Sequence, residues 1–222
     1  MKKIFEGKIY DIVPKSDGII FSYQKAVIDE GEVVCFKMIS IENSLMTDIG
    51  KNIYWNEKFG SNYHAALQHG ENFVMTKSIP LALGRAFLCD ENGNAYLIDS
   101  NGSAALAGEI KHHGNPPSSI AFYKNNLWAT FESTNVLMRF NINTMRNELR
   151  VGGKVSPFNR PKNIYIEDDI AYICNAGSNN IVKINLESYA IDEYRSFEES
   201  PLGFVKSGGF EFVLLESGLY LM

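Results

Sequence analysis

Four acidic residues have the chemistry that glycoside hydrolysis requires, which is a pair of carboxylates facing each other across the scissile bond. They lie in or beside short apolar segments that read as strands: Asp11, Glu132, Glu167 and Glu216. Asp11 alone has a position suited to a catalytic base, whereas Glu132 falls in a predicted turn and Asp168–Asp169 form another. Carboxylate catalysis is therefore the alternative interpretation, and the leading expectation is that the protein is not an enzyme.

Histidine and cysteine spacings do not favour a metal centre. His64 and His69 are placed in a predicted strand and turn, so their side chains point to opposite faces, and His112 and His113 are adjacent in a loop. The odd number of widely separated cysteines fits buried thiols in a reducing compartment: Cys35, Cys89 and Cys174. We predict no metal, no cofactor and a cytoplasmic location.

Charge and hydropathy narrow the range of partners. The net charge is −5 and the acidic residues are dispersed, so no basic surface for nucleic acid or for an anionic membrane is expected. No apolar run approaches the ~18 residues of a membrane span, and Glu6, Lys8 and Asp11 interrupt the N-terminal segment. The expected partner is another protein or a small polar ligand.

The elements that must position any site form a repeat. A short apolar strand, a tight turn of Gly, Asp or Asn and a second strand recur about every 40 to 55 residues, a period typical of four-stranded β-propeller blades. The five hairpins begin at Ile9, His64, Ser119, Asn163 and Gly203, with turns near Gly18, Glu71, Asn126, Asp169 and Gly209. The sequence therefore predicts one all-β domain over residues 1–222, a propeller of five four-stranded blades.

Both ends of the chain carry unmatched strands. The last copy of the repeat ends after three strands, and the chain begins with an isolated strand, KKIFEGK, at Lys2. We predict that this N-terminal strand completes the last blade and closes the ring, because closure leaves no open sheet edge at either terminus.

The residues assigned to the second blade can be divided into strands and blades in another way. Between Asn72 and Ile110 the segments FVMTK, LALGRAF, FLCDE, NAYLID and SAALAGE offer more strands than a hairpin starting at His64 needs. A sixth small blade is therefore the alternative to five.

One blade resembles a known repeat family. The run IAYICNAGSNNIVKINLESYAI at Ile170 is similar to the YVTN and NHL class of propeller repeats, in which an apolar strand ends in Asn and a Gly-Ser-Asn turn follows. The matching positions are Asn175, Gly177, Ser178, Asn179, Asn180 and Asn185. The resemblance is partial from Ile120 to Met145, and it implies a propeller with a binding or scaffolding role and no catalytic residue.

Propeller ligands usually sit at the channel mouth, where the loops that enter the inner strands converge. Aromatic, Arg, His and Asn side chains in those loops suit a sugar or a peptide, and we predict ligand binding by Tyr54, Trp55, Tyr63, His113, Asn115, Phe158 and Arg160. The competing interpretation is structural, with Trp55 and Phe158 filling gaps between blades and Arg160 paired with a Glu.

A glycosidase-like or lactonase-like enzyme is the alternative function. The lactonase-like enzyme would bind a metal through Asp11, Asn163 and Asn175.

Overall fold

The computed structural model describes residues 1–28, 31–41, 45–55, 75–80, 86–90, 92–101 and 103–222. Its strands form five antiparallel sheets of four strands each, and consecutive blades follow one another around a central channel. The predicted five-bladed propeller is confirmed, and the six-bladed alternative is excluded.

Each blade runs from an inner strand at the channel to an outer strand at the rim. Blade 1 contains β2 (Ile9–Lys15), β3 (Gly18–Ile28), β4 (Gly31–Ser40) and β5 (Leu45–Trp55), and blade 2 contains β6 (Met75–Pro80), β7 (Ala86–Asp90), β8 (Asn94–Ile98) and β9 (Ala104–Glu109). Blade 3 contains β10 (Ser119–Tyr123), β11 (Asn126–Phe131), β12 (Val136–Asn141) and β13 (Asn147–Gly152), with a short 3-10 turn at Glu132–Thr134. Blade 4 contains β14 (Pro161–Glu167), β15 (Ile170–Asn175), β16 (Asn180–Asn185) and β17 (Ile191–Ser196). Blade 5 contains β18 (Pro201–Ser207), β19 (Phe210–Leu215), β20 (Gly218–Leu221) and β1 (Lys2–Phe5).

Closure by the N-terminal strand is confirmed. β1 pairs antiparallel with β20, and Lys2 lies opposite Leu221 while Phe5 lies opposite Leu219. The Phe5 ring then reaches the next blade, where its centroid is 4.9 Å from that of Phe21 and 4.8 Å from that of Tyr23. One short strand therefore completes blade 5 and also contributes to the apolar interface with blade 1.

The hydrophobic core lies between blades, as the repeat requires, because a single four-stranded sheet has two faces to bury. Trp128 and Leu137 of blade 3 pack with Ile173 and Ile184 of blade 4, and all four are almost fully buried. Equivalent apolar clusters join blade 2 to blade 3, blade 4 to blade 5 and blade 5 to blade 1.

The polar residues of the repeat motif are used by its turns. Asn141 Oδ1 accepts hydrogen bonds from the backbone N–H groups of Asn143 and Thr144, and Asn185 Oδ1 accepts them in the same way from Glu187 and Ser188. Such Asx turns join the third strand to the fourth in blades 3 and 4. Asn141 and Asn185 are therefore explained by turn geometry.

Blade 2 corrects the predicted hairpin at His64. The described inner strand begins at Met75 and pairs with β7, where Lys77 lies opposite Cys89 and Pro80 opposite Ala86. FVMTK thus contributes to the inner strand, and the segments that suggested a sixth blade are the remaining strands of blade 2. Residues 64–74 and the predicted turn at Glu71 lie outside the described residues.

A polar cluster is embedded at the interface of blades 4 and 5. Lys206 Nζ donates a hydrogen bond to Tyr172 Oη at 2.8 Å and lies 3.5 Å from Glu211 Oε1, which also accepts the Tyr194 hydroxyl. Burial raises the pKa of Tyr194 to about 12, and the bond to Glu211 adds to the shift. Burial likewise raises the pKa of Tyr165 to about 12.

We expect this interface to weaken in alkali. A tyrosine with a raised folded-state pKa stabilises the fold fully below its unfolded pKa of about 10 and loses that contribution as pH rises through 12. The free energy of unfolding should therefore fall between about pH 10 and pH 12, and the Tyr194→Phe variant should show a smaller fall. Urea denaturation at each pH measures it, and an identical pH profile for the variant would contradict the assignment.

Candidate functional site

The central channel contains a cavity of about 290 Å³. Its described walls are the inner strands of blades 1, 3, 4 and 5, and the polar side chains gather where those strands begin: Asp11, Ser118, Ser119, Lys162 and Asn163. The entry loops converge at the same end, so this end of the channel is the mouth.

One register position in the inner strands of blades 1, 3, 4 and 5 lines this site. It precedes the apolar residue that begins the repeat, and in three of these strands it directly follows a shift in pairing register. We call these four residues the ring position: Asp11, Ser119, Asn163 and Gly203. The following residue is apolar and buried in four of the blades, namely Ile12, Ile120, Ile164 and Phe204.

Asn163 connects three neighbouring inner strands. Its Nδ2 lies 3.5 Å from Ser119 Oγ on β10, and its Oδ1 accepts the backbone N–H of Phe204 on β18 at 3.2 Å. The side chain therefore fixes the spacing of blades 3, 4 and 5 around the channel. Its remaining amide hydrogen is left for a further acceptor.

Hydrogen-bond donors are concentrated on the wall formed by blades 3 and 4. Ser118 Oγ accepts the Glu132 backbone N–H at 2.7 Å, and Ser119 Oγ is the acceptor in its contact with Asn163. Both serine hydroxyls therefore keep their own protons for another acceptor. The ammonium of Lys162 adds N–H donors beside them, one of which is engaged by Glu132 Oε2.

Glu132 organises the cations at the mouth. Its Oε1 accepts Arg160 Nε at 3.0 Å and Nη2 at 2.9 Å, while its Oε2 pairs with Lys162 Nζ. The Glu132 side chain is 26% exposed and that of Arg160 is 58% exposed. One carboxylate on blade 3 thus holds two cations of the following blade.

Asparagine side chains also fasten the entry loop of blade 4. Asn135 Oδ1 accepts the Arg160 backbone N–H at 2.8 Å, and Asn175 bonds both Pro157 O and the Asn159 N–H, at 3.2 and 3.3 Å. Asn175 is fully buried. Because its amide is already committed to the loop and it lies on the second strand of its blade, it does not contribute to a channel metal site.

The predicted ligand-binding residues of this loop separate into two roles. Arg160 lies at the mouth and pairs with Glu132, as the structural interpretation stated, and its contact with a ligand stays a prediction. Phe158 is 2% exposed and packs with the core shared by blades 3 and 4. We correct its assignment, because a ring without exposed surface cannot stack on a ligand.

His113 and Asn115 belong to a tight turn before β10. The backbones of His112 and Asn115 exchange two hydrogen bonds of 3.0 Å, and Asn115 Nδ2 donates to His113 O at 3.2 Å. His113 is exposed with a φ of 50°, whereas His112 is half-buried, and burial lowers the pKa of its imidazole. This turn is explained by its own hydrogen bonds, and ligand contact by His113 or Asn115 stays a prediction.

The aromatic residues of the preceding region are only partly described. Tyr54 and Trp55 belong to strand β5, where they lie opposite Glu32 and Gly31, so their backbone is not the loop that we predicted. β5 is longer than the corresponding strands of blades 3 and 4, and it ends at Trp55. Tyr63 lies outside the described residues.

The candidate carboxylates do not meet in the channel. Among the described lining residues Asp11 alone carries a carboxylate, since Glu132 pairs with the cations at the mouth. Glu167 lies at the far end of β14, 3.4 Å from Lys206 Nζ. Within the described parts of the chain no three His, Cys, Asp or Glu residues are grouped as a metal site would need.

Sequence reasoning missed Ser118, Ser119 and Lys162. Their signal was present in the repeat, because Pro117, Pro161 and Pro201 each precede the ring position by two residues. Aligning the blades on these prolines places Ser119, Asn163 and Gly203 at one level.

We expect Glu132→Gln to loosen the mouth without unfolding the protein. The amide keeps the size of the side chain but loses the charge that pairs with Arg160 and Lys162, and a partly exposed ion pair contributes at most about 1 kcal/mol. Amide hydrogen exchange should accelerate at residues 158–162. Glu198→Gln is the matched control, because Glu198 meets Asn179 through its backbone carbonyl. Equal exchange in both variants would contradict the role of Glu132.

Comparisons with known proteins define the class by fold. No protein-family model matches the chain, and no curated protein matches its sequence. Virginiamycin B lyase from Staphylococcus aureus is similar in structure, with a TM-score of 0.52 and 14% identity over 100% of this chain and 72% of that one. A chain of the nidogen–laminin complex has a TM-score of 0.55 and 11% identity over 96% and 70%.

A computationally designed protein, Ika8, is also similar, with a TM-score of 0.54 and 9% identity over 96% of this chain and 70% of that one. The lyase and nidogen structures are propellers with different roles, so the similarity shows a β-propeller fold and leaves the function open. Among the described residues, no helix has the length and apolar character needed to cross a membrane.

Proposed function

We propose that this propeller is a binding protein that holds a small polar ligand at the mouth of its central channel. The observation that carries the proposal is the cavity of about 290 Å³, with hydroxyl, amide, ammonium and carboxylate groups from three blades at one end. Its volume lies at the lower limit for ligand pockets. A ligand of the size of a monosaccharide or an amino acid fits this space, whereas a folded partner would bind only the surrounding loops.

Fixed polar groups support binding more directly than catalysis. Asn163 and Glu132 hold their neighbours through hydrogen bonds and ion pairs across blades, so the donors of Ser118, Ser119 and Lys162 are ordered before a ligand arrives. Preorganised donors reduce the entropic cost of binding. Glycosidase-like chemistry needs a second carboxylate facing Asp11, and the described walls of the channel do not supply one.

A thermal-shift screen against monosaccharides, amino acids, nucleotides and divalent cations tests the proposal. We expect at least one class of small molecule to raise the melting temperature in a concentration-dependent way. The Lys162→Met variant should weaken this shift. Lys15→Met is the matched control, because Lys15 is exposed at the opposite end of β2.

A null result with all four classes would overturn the proposal. A shift that both variants keep in full would place the ligand elsewhere. Recognition of a protein partner by the entry loops stays a prediction.

A further inference from the structure

Uncharged hydrogen-bond donors lie side by side on the channel wall of blades 3 and 4. The hydroxyls of Ser118 and Ser119 are the acceptors in their hydrogen bonds with the Glu132 backbone and with Asn163, so each keeps its own proton. The Asn163 amide uses one N–H on Ser119 and keeps the other. Because Ser118, Ser119 and Asn163 all line the cavity, this wall offers three donors to a ligand that carries acceptors.

The cations beside this wall outnumber the carboxylate that pairs with them. Glu132 accepts two hydrogen bonds from Arg160 at Oε1 and pairs with Lys162 at Oε2. Lys162 is thus already engaged, but a single carboxylate balances two cations. Within this group of three residues one positive charge remains in excess, and an anion bound at the wall would balance it.

The acidic side chain of the cavity lies across the channel and has partners of its own. Asp11 belongs to blade 1, which is adjacent to neither blade 3 nor blade 4 in the ring. Its carboxylate accepts the Ile12 N–H at 2.8 Å and takes part in a further interaction. The ligand therefore does not need to supply a partner for Asp11, and the donor wall is the side of the cavity that favours a charged group.

Room for the body of a ligand lies beside this wall on blade 5. The ring position there is Gly203, which is not among the glycines with positive φ. A Cβ built at Gly203 would lie 3.4 Å from Ile12 Cγ1 and 3.5 Å from Leu214 Cβ, so a larger residue is sterically permitted. The missing side chain leaves the cavity open next to Asn163, whose Oδ1 accepts the backbone N–H of Phe204.

We propose that the ligand is a small monocarboxylate, a claim that rests on the channel-mouth site proposed above. Its carboxylate accepts hydrogen bonds from Ser118, Ser119 and Asn163 and balances the excess positive charge beside them. A neutral sugar would satisfy the donors but leave that charge unbalanced. A phosphate monoester would bring a charge of about −1.5 to −2 at pH 7, which exceeds the single positive charge available.

Calorimetry on the intact chain tests the charge of the ligand. The probes are N-acetylated L-amino acids and glucuronate, and each is compared with its primary amide, which has a similar shape and no charge. We expect at least one carboxylate to bind about tenfold or more tightly than its amide, because hydrogen bonds to a charged group are stronger. Glucose 6-phosphate, which carries a phosphate where glucuronate carries its carboxylate, should bind more weakly than glucuronate.

Salt dependence gives a second measurement that needs no variant. Raising the NaCl concentration from about 0.05 M to about 0.5 M should weaken binding of the carboxylate and leave binding of its amide unchanged, because salt screens the attraction between charges.

Serine variants locate the carboxylate on the donor wall. Ser118→Ala and Ser119→Ala should each weaken the best carboxylate about tenfold, because each removes one hydrogen bond to a charged group. Ser196→Ala is the matched control and should leave the affinity unchanged, since Ser196 is exposed on the outer strand of blade 4. The melting temperature of each free variant checks that it is folded.

The outcomes separate the two proposals. Amides that bind as tightly as their carboxylates, or glucose 6-phosphate that binds more tightly than glucuronate, would overturn the monocarboxylate and preserve the channel-mouth site. Full affinity in both Ser118→Ala and Ser119→Ala would also overturn it. If no carboxylate binds but another class in the thermal-shift screen does, only the monocarboxylate fails, and if nothing binds, both proposals fail.

Discussion

Removing residues 1–8 should lower the free energy of unfolding by about 3 to 5 kcal/mol, the range for losing a large aromatic side chain from a core. The truncated protein loses the β1–β20 pairing and the packing of Phe5 against Phe21 and Tyr23. It also exposes β20 as a new sheet edge. For a chain of this length the melting temperature should fall by about 6 to 20 °C, measured by calorimetry together with urea denaturation.

The Lys2→Ala variant is the control for this truncation. Lys2 is exposed, and its replacement should change the free energy of unfolding by no more than about 0.5 kcal/mol. A truncated protein as stable as the full chain would show that the N-terminal strand does not close the ring. We also expect the truncated protein, but not the Lys2→Ala variant, to aggregate, because an unpaired strand edge can pair with another chain.

Phe158→Ala should have the second large effect, also about 3 to 5 kcal/mol. Phe158 is 2% exposed and packs among the apolar residues shared by blades 3 and 4, so truncating it leaves a cavity between two blades. Urea denaturation gives the change in the free energy of unfolding. A loss below about 1 kcal/mol would contradict the core assignment and restore Phe158 as a candidate for ligand contact.

Arg160→Ala in the same loop is the matched comparison. Arg160 is 58% exposed and its partner Glu132 is 26% exposed, so water screens the ion pair and its loss should cost at most about 1 kcal/mol. Two residues that the sequence placed together in one site should thus differ severalfold in their effect on stability. Similar losses for both variants would show that the loop acts as one structural unit.

The architecture could be predicted because it depends on short-range patterns. Short apolar segments define the strands, and tight turns such as Gly208–Gly209, with φ values of 54° and 79°, join described strands into hairpins. Blade 2 was harder, because the segments between Asn72 and Ile110 offer more strands than a hairpin starting at His64 needs. Several strand-like segments compete there for the same pairing partners. A local sequence pattern does not determine which of them pair.

The site could be predicted only in part, because exposure depends on packing between distant segments. Phe158 and Arg160 are two residues apart in an entry loop, yet one faces the core and the other faces the mouth. The residue type alone suggested ligand stacking for Phe158, since nothing local distinguishes a ring that fills an interblade gap from one that meets a ligand. Nothing local distinguishes Ser118 and Ser119, because hydroxyls are common on any strand.

The sequence by itself determined that the chain forms a closed ring of similar units, since the repeat and the two unmatched terminal strands are properties of residue order. Only the tertiary structure decided which side chains meet at the channel. Asp11 and Lys162 are far apart in the chain and reach one cavity because five blades close around an axis. Convergence of that kind arises from packing between blades, and the local pattern of one blade contains no information about it.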